Sequence, residues 1–325
     1  MSKIIGIDIS KSTFDVSYLE KDKWEHKVFK NQSTGFEQFK KLIDSADWIV
    51  MEASGPYYLQ LATFLNTSSY NVCVLNPLII RRYSQTRLYR AKTDKKDAKT
   101  IAEYGAQYDL KKWTPDSKES TEIKQLYTAL ELVKKQRQQT KRQLESFEST
   151  GLLDSSLRKE LKQIGVLLTR RIDKLGKKIE QIGELTYKDT IEKVRTIPGV
   201  GLKTAIMMCV ITDNFTKFEN HKQLTAFVGF SPRLYQSGTS VKGKGHICKM
   251  GKPQIRKLLY LCSWSAKRVN KNCIEMYTRL KEKGKPERVI KIALANKLIK
   301  QIFAIAKNKQ VYNENHQNLH RLTIG

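Results

Sequence analysis

The sequence predicts three regions in series: a mixed-sheet α/β domain over residues 1–112, a long antiparallel coiled-coil hairpin over 113–190, and a mostly α-helical domain over 191–325. Three observations carry that expectation. Short apolar runs alternate with helical stretches up to residue 75, which suits strands and helices layered in one domain. From Ile123 to Ile182 apolar residues recur three and four apart, the spacing of a heptad seam. Beyond Val194 the helical pattern is cut by Pro198-Gly199-Val200-Gly201, and later by a Gly-rich basic loop at 237–254.

Taken in order, KIIGIDIS (3–10) reads as a buried strand, 12–20 as its hairpin partner and Trp24 to Lys30 as a third strand. A helix over 34–46 follows, then the short strand DWIVME ending at Glu52. A second helix starts after Gly55-Pro56, because proline fits a first helical turn. NVCVL (71–75) is a strand closed by Asn76-Pro77, and the stretch from 78 to about 108 is helical and basic. The seam runs through Ile123, Leu126, Leu130, Val133, Arg137, Thr140, Leu144 and Phe147. It turns at Ser149-Thr150-Gly151 and resumes through Leu161, Ile164, Leu168, Ile172, Leu175, Ile179 and Ile182. Such a hairpin is either a spacer packed on itself or an interface for a second subunit, in a homodimer or homotetramer. In VRTIPGVGLKTAIMM (194–208) a helix end, a Pro-Gly turn and a new helix have the shape of a helix-hairpin-helix. Gly199 and Gly201, with Lys203 beside them, would let backbone N–H groups approach a DNA phosphate with no Cβ in the way.

Lys and Arg outnumber Asp and Glu by 60 to 32, a formal charge of +28. A surplus of that size attracts polyanions and releases their counterions, so nucleic acid is the partner it favours. No apolar run approaches the ~20 residues that span a bilayer, and no signal peptide precedes the first strand, which argues against a membrane role. Cys73, Cys209, Cys248, Cys262 and Cys273 are scattered without a CxxC pair. They suit reduced thiols in cytoplasm and offer neither a disulfide framework nor a zinc knuckle. His316 and His320 have ligand-like helical spacing but lack the cysteine pair that would complete a zinc site.

Metal-assisted phosphodiester chemistry needs carboxylates that converge from different elements, since oxygen ligands suit Mg²⁺ or Mn²⁺. Asp8 lies between Ile7 and Ile9 inside a predicted strand, where an uncompensated charge is costly. Glu52 ends another strand, and Asp94 and Asp97 lie three apart at a helix start, on one face. Adjacent parallel strands with that helix laid on them would bring the four together. The plainer readings are an N-cap for Asp94, a solvated first-turn acid for Asp97, and surface positions on the hairpin for Asp15 and Asp22.

GIDISKSTFDV, VMEASGPY and KTDKKDAKTIAEY resemble the DEDD-type insertion-sequence transposases, a family that includes the pilin-gene invertases. The likeness continues through TIPGVGLKTA, FVGFSPRLYQSG and KMGKPQIRKLLY, so it covers nearly the whole chain. It implies a ribonuclease H-like (RuvC-like) first domain, with Asp8, Glu52, Asp94 and Asp97 as an acidic tetrad holding Mg²⁺ or Mn²⁺. It places the family's catalytic serine on Ser237, with Ser240 nearby as the alternative hydroxyl. It also implies a recombinase that excises and inserts its own element, choosing donor and target DNA through a structured guide RNA encoded by that element.

A serine hydroxyl is a weak nucleophile that a base or a metal must activate. The resemblance implies a composite site, in which metal on the tetrad polarises a phosphate that Ser237 attacks, leaving a phosphoserine link to DNA. Lys242, Lys244, Lys249, Lys252 and Arg256 are expected to grip backbone phosphates nearby. Arg81, Arg82, Arg87 and Arg90, interleaved with Tyr83 and Tyr89, form a second expected nucleic-acid surface, where the aromatics would stack on unpaired bases. Two rival readings use the same residues differently. One is a RuvC-like nuclease or junction resolvase that uses the tetrad and water; the other is a non-catalytic nucleic-acid-binding scaffold.

Overall fold

The computed structural model describes residues 2–87, 93–233, 236–237, 241–242 and 246–315, with the backbone alone at 236–237 and 241–242. The chain divides into two compact units, Met1–Pro115 and Asp116–Gly325.

In the first unit the elements are β1 (Ile4–Ile9), β2 (Thr13–Glu20), β3 (Lys23–Lys30), α1 (Ser33–Lys40), β4 (Trp48–Glu52), α2 (Tyr58–Thr67), β5 (Asn71–Leu75), α3 (Pro77–Thr86) and α4 (Asp94–Gln107). The strands form one mixed sheet in the order β3-β2-β1-β4-β5, antiparallel among β1, β2 and β3 and parallel among β1, β4 and β5. Strand alternation sends Ile5, Ile7, Phe14, Val16, Ile49 and Met51 to one face, where they bury with Phe36 and Phe39 of α1 and Leu61 and Leu65 of α2. The opposite face carries Val50 and Cys73 against Ile80 of α3 and Ile101 of α4. Gly6 explains how closely α4 lies on this second face. A Cβ at that position would stand 2.2 Å from the carbonyl oxygen of Ala98 and 2.3 Å from the amide of Ala102, so only glycine admits the helix.

Two local expectations are corrected and one is extended. The helix expected over 34–46 stops at Lys40. Further on, Asp47, 2% exposed, accepts from the amides of Asp44 (2.9 Å) and Lys3 (2.7 Å), so residues 44–47 form a turn and not a last helical turn. Asn76-Pro77 opens α3 as well as closing β5: the Asn76 side chain accepts from the Leu78 amide at 3.0 Å, and Pro77 takes the first helical position. The helical stretch from 78 to 108 is two helices, with 88–92 outside the described residues.

The second unit contains α5 (Lys118–Glu148), α6 (Ser155–Arg195), α7 (Leu202–Thr212), α8 (His221–Val228), β6 (Pro232–Arg233), β7 (Gln236–Ser237), β8 (Val241–Lys242), β9 (His246–Ile247), α9 (Pro253–Val269), α10 (Lys271–Glu282) and α11 (Glu287–Asn308). Helices α5 and α6 run antiparallel, with Lys178 paired to Glu122 at 2.6 Å and Arg158 to Glu148 at 3.5 Å. The seam is fully buried only at its root. There Ile123, Leu130 and Ile179 share one core with Ile206, Leu259, Leu294 and Ile302, so the hairpin has no core separate from the C-terminal helices. Towards the tip Arg137 is exposed and Ile164 is 43% exposed. Near its C-terminal end α6 departs from helical geometry at Tyr187, whose hydroxyl hydrogen-bonds Ser120 of α5. The five cysteines are free thiols, and among the described residues no helix is long and apolar enough to cross a membrane.

Candidate active site

The tight turn between Ser10 and Thr13 fixes the register of the first hairpin and sets Asp8 directly opposite Asp15. The parallel pairing of Ile7 with Met51 places Glu52 at the end of β4, beside the end of β1. Alternation puts Asp8, Asp15 and Glu52 on the side of the sheet that Gly6 opens to α4. That helix begins with Thr93, whose side chain accepts from the Lys96 amide at 3.3 Å, so Thr93 and not Asp94 is the N-cap. Asp94 and Asp97 occupy the first turn, where unsatisfied N–H groups favour negative charge.

The electrostatics show that these acids sense one another. The Asp8 carboxyl is pushed up to about 6, first by burial and then by the charges of Asp97, Asp94, Glu52 and Asp15. Ser54 donates to Glu52 Oε1 at 2.7 Å and orients that carboxylate. Among the described residues no three His, Cys, Asp or Glu side chains stand close enough to hold a metal ion as they are placed. The carboxylates are near enough for their charges to act on Asp8 without being gathered into a coordination shell. The donor set nevertheless fits Mg²⁺ or Mn²⁺. It is all hard oxygen, and the upward push on the Asp8 carboxyl marks a place where negative charge gathers without a balancing cation.

Asp15 escaped the sequence reading, which put it on the surface. Its side chain is 13% exposed and bonds His26 Nε2 at 2.8 Å. The signal was present, because a tight turn at 10–13 makes residues whose numbers sum to 23 face each other. Asp22 lies in the β2–β3 turn and is exposed, as expected.

The expected nucleic-acid residues fare unevenly. Arg81 and Arg82 are exposed, but Tyr83 is 7% exposed and packs edge-on against Tyr104 and Tyr108, so it has no free face for a base. Arg87 donates to the Tyr83 hydroxyl at 2.9 Å. Gly199 serves packing: at φ 94° its open side lies against Ala266 of α9, with a would-be Cβ 2.7 Å from the Ala266 Cα. Gly201 has nothing within 4 Å of that position and stays open. Lys203 turns inward over the Tyr127 ring at 5.5 Å, and burial with Lys134 nearby pushes its ammonium down to about 8. Arg256 donates to the Val228 carbonyl at 2.8 Å and closes the end of α8. Lys249 is exposed, and so is Lys252, whose ammonium lies over Phe227. Ser237 sits in β7 opposite Val241 of β8, next to Lys242, and nothing of these side chains is described. Tyr89, Arg90, Ser240, Lys244, His316 and His320 lie outside the described residues.

A transposase family model of the DEDD, IS110 kind matches residues 5–148, and one described as the transposase IS116/IS110/IS902 family matches residues 191–278. The chain is 28% identical over 324 residues to the pilin gene-inverting protein of Moraxella lacunata, covering 97% of this chain and 99% of that one. It is 23% identical over 343 residues to the transposase for insertion sequence element IS1111A of Coxiella burnetii, covering 95% of this chain and 91% of that one. The transposase for insertion sequence element IS1328 of Yersinia enterocolitica is also 23% identical, over 346 residues, with 96% and 98% covered.

Proposed function

Because the chain belongs to the IS110 family of transposases, we propose that it cleaves and exchanges DNA strands with Asp8, Glu52, Asp94 and Asp97 as metal-holding carboxylates and Ser237 as nucleophile. The observation that carries the metal assignment is placement: Asp8 and Glu52 lie near the ends of neighbouring strands on the side of the sheet that α4 covers, with Asp94 and Asp97 in the first turn of that helix, and the charges of those acids add to burial in raising the Asp8 carboxyl. A ribonuclease H-like arrangement fits the mixed sheet with α4 laid across it. The match of the second family model to the stretch containing Ser237 supports the serine.

Bound Mg²⁺ or Mn²⁺ would offset charge developing on a phosphate and ease loss of a hydroxyl proton. The chain's own part is to hold carboxylates in place: Glu52 through Ser54, and Asp94 and Asp97 through the capped first turn of α4. Ser237 Oγ forms a bond to phosphorus as the bond to a deoxyribose oxygen breaks. The serine proton is lost, the leaving oxygen gains one, and a phosphoserine ester keeps the bond energy for strand exchange. Donor and target DNA, a structured guide RNA and further copies of this chain are the partners in this reading.

A stalled reaction on nicked DNA tests it. The protein should be trapped on a DNA end in a link that survives denaturant and requires divalent metal. The adduct should vanish in Ser237→Ala and in Asp97→Asn, while both variants still bind nucleic acid. Phosphate found on Ser240 would move the nucleophile within the same scheme. Free ends with no adduct would favour a nuclease that uses water. Sequencing of copurifying RNA tests the guide.

A further inference from the structure

We propose that a cleft in the second unit, formed by α10, α11 and the chain that follows α11, binds one unpaired nucleotide of an RNA or DNA strand. The cleft measures about 600 Å³, within the ~300–1,000 Å³ typical of small-ligand sites. It uses none of the acidic-site residues and not Ser237. It shares with the reading above only the premise that the chain handles nucleic acid.

Helix α11 builds one wall from a single strip. Ala293, Asn296, Lys297, Lys300 and Ala304 recur at helical spacing and all line the cleft. The two alanines leave space at either end, and the polar residues between them face that space.

The hydrogen-bonding capacity left in this cleft is of both kinds. The Asn296 carbonyl accepts from Thr225 at 3.4 Å and the Gln301 carbonyl accepts from Asn270 at 3.2 Å. Their NH₂ groups are thereby turned to other partners, and no acceptor among the described residues takes them. Asn272 is used the opposite way. It donates to the Tyr312 hydroxyl at 3.1 Å and keeps its carbonyl as an acceptor. Side-chain amides offering both donors and an acceptor match the mixed edge of a nucleobase.

Tyr312 adds an aromatic wall that is fixed at two points. Its amide donates to Thr196 Oγ1 at 2.8 Å and its hydroxyl to Asn270 Oδ1 at 3.2 Å. A tyrosine immobilised in this way offers a stacking partner at little entropic cost.

Charge decides the ligand class. Among the described residues, Lys297 and Lys300 line the cleft without an ion-pair partner, and no aspartate or glutamate lines it. Burial together with Lys300 and Lys222 pushes the His221 imidazole down, so the field there is positive. Two unpaired ammonium groups beside an amide-lined, aromatic space fit a phosphate attached to a base. A neutral sugar or a cationic peptide would leave them unanswered.

The full-length protein should be titrated with short single-stranded RNA and DNA carrying one 2-aminopurine, with the matching duplex, and with adenosine monophosphate as free competitor. The fluorophore should respond in the single strands and not in the duplex. Ala304→Phe fills the cleft from an exposed position, and Lys300→Gln removes a charge that is also exposed, so both variants should fold normally. Each should weaken single-strand binding about tenfold, the loss expected for one stacked, charge-assisted contact. A 4-thiouridine strand should cross-link to Tyr312 or Met276. Asp97→Asn should bind and cross-link like wild type, so failure of the acidic-site reading would leave these results intact. Wild-type affinity in both cleft variants, or cross-links confined to other regions, would overturn the proposal. Binding of adenosine monophosphate that the strands do not compete away would assign the cleft to a free nucleotide and overturn the strand assignment.

Discussion

At Asp8, burial and neighbouring negative charge act in the same direction, and the consequence is measurable. The carboxyl's folded value, about 6, lies above its ordinary 3.8, so the folded state holds the proton more tightly than the unfolded chain. The stabilisation from that proton is complete below about pH 4 and is lost as pH rises through about 6. At neutral pH the metal-free protein therefore carries a repulsive cluster. Asp8→Asn should raise the melting temperature of metal-free protein at pH 7. The gain should be about 1–2 kcal/mol, a shift of two pKa units at ~1.4 kcal/mol each, discounted for partial exposure. The same variant should lose strand cleavage and most of the stabilisation that divalent cation gives wild type. Calorimetry with and without Mg²⁺ reads both effects, and wild-type cleavage by the Asn variant would remove Asp8 from the site.

For the elements, the fit of helix to sheet rests on one missing methyl. Gly6→Ala would drive a Cβ into the backbone of α4, and should cost about 3 kcal/mol or more, with cleavage lost because Asp94 and Asp97 ride on that helix. Gly201→Ala, with open space around it, should cost less than about 1 kcal/mol. Denaturation midpoints of the two variants, compared side by side, decide the matter. The hairpin helices allow a similar contrast. Leu130 is 1% exposed and a lysine there would unfold the root, whereas Leu157 and Ile164 are 42% and 43% exposed. If the outer seam joins copies of the chain, Leu157→Lys with Ile164→Lys should lower the mass seen by light scattering at an unchanged melting temperature. An unchanged mass would leave the hairpin a spacer. The five strands of the first unit and the long helices were legible in sequence because their periods, two and three-to-four, are local properties, and the positions of Asp8 and Glu52 follow from them; the two-residue strands β6 to β9 are too short to show a period and read as loop. What was not legible depends on distant residues. Asp47 holds the turn at 44–47 where helix was expected, Tyr104 and Tyr108 bury Tyr83, and Ala266 of α9 takes the space beside Gly199. A Pro-Gly turn or a Tyr among arginines looks the same in sequence whether solvent, DNA or another helix fills the space beside it.

Across the whole molecule, the surplus of +28 is not all available to a ligand. Arg256 closes a helix, Arg87 bonds a buried tyrosine, and Lys124 and Lys217 both hold Asp116, whose carboxyl they pull below its usual range despite burial. Enough remains for a steep salt response. Nucleic-acid affinity should fall ~10³–10⁵-fold between roughly 50 and 200 mM salt if about six to ten phosphates are covered, and a flat response would show that the charge lies away from the binding surface. The hairpin has a mechanical consequence of its own. The fully buried residues of the hairpin reach furthest out at Leu130 on α5, leaving an outer length of about 18 residues to the end of that helix, ~27 Å at ~1.5 Å per residue. Fixed at one end within its unit, that length is a cantilever. A tilt of about 5° at the root displaces the tip by ~2.4 Å, enough to break a hydrogen bond of ordinary length, so a small repacking around Tyr187 would be delivered at the far end as contact made or lost.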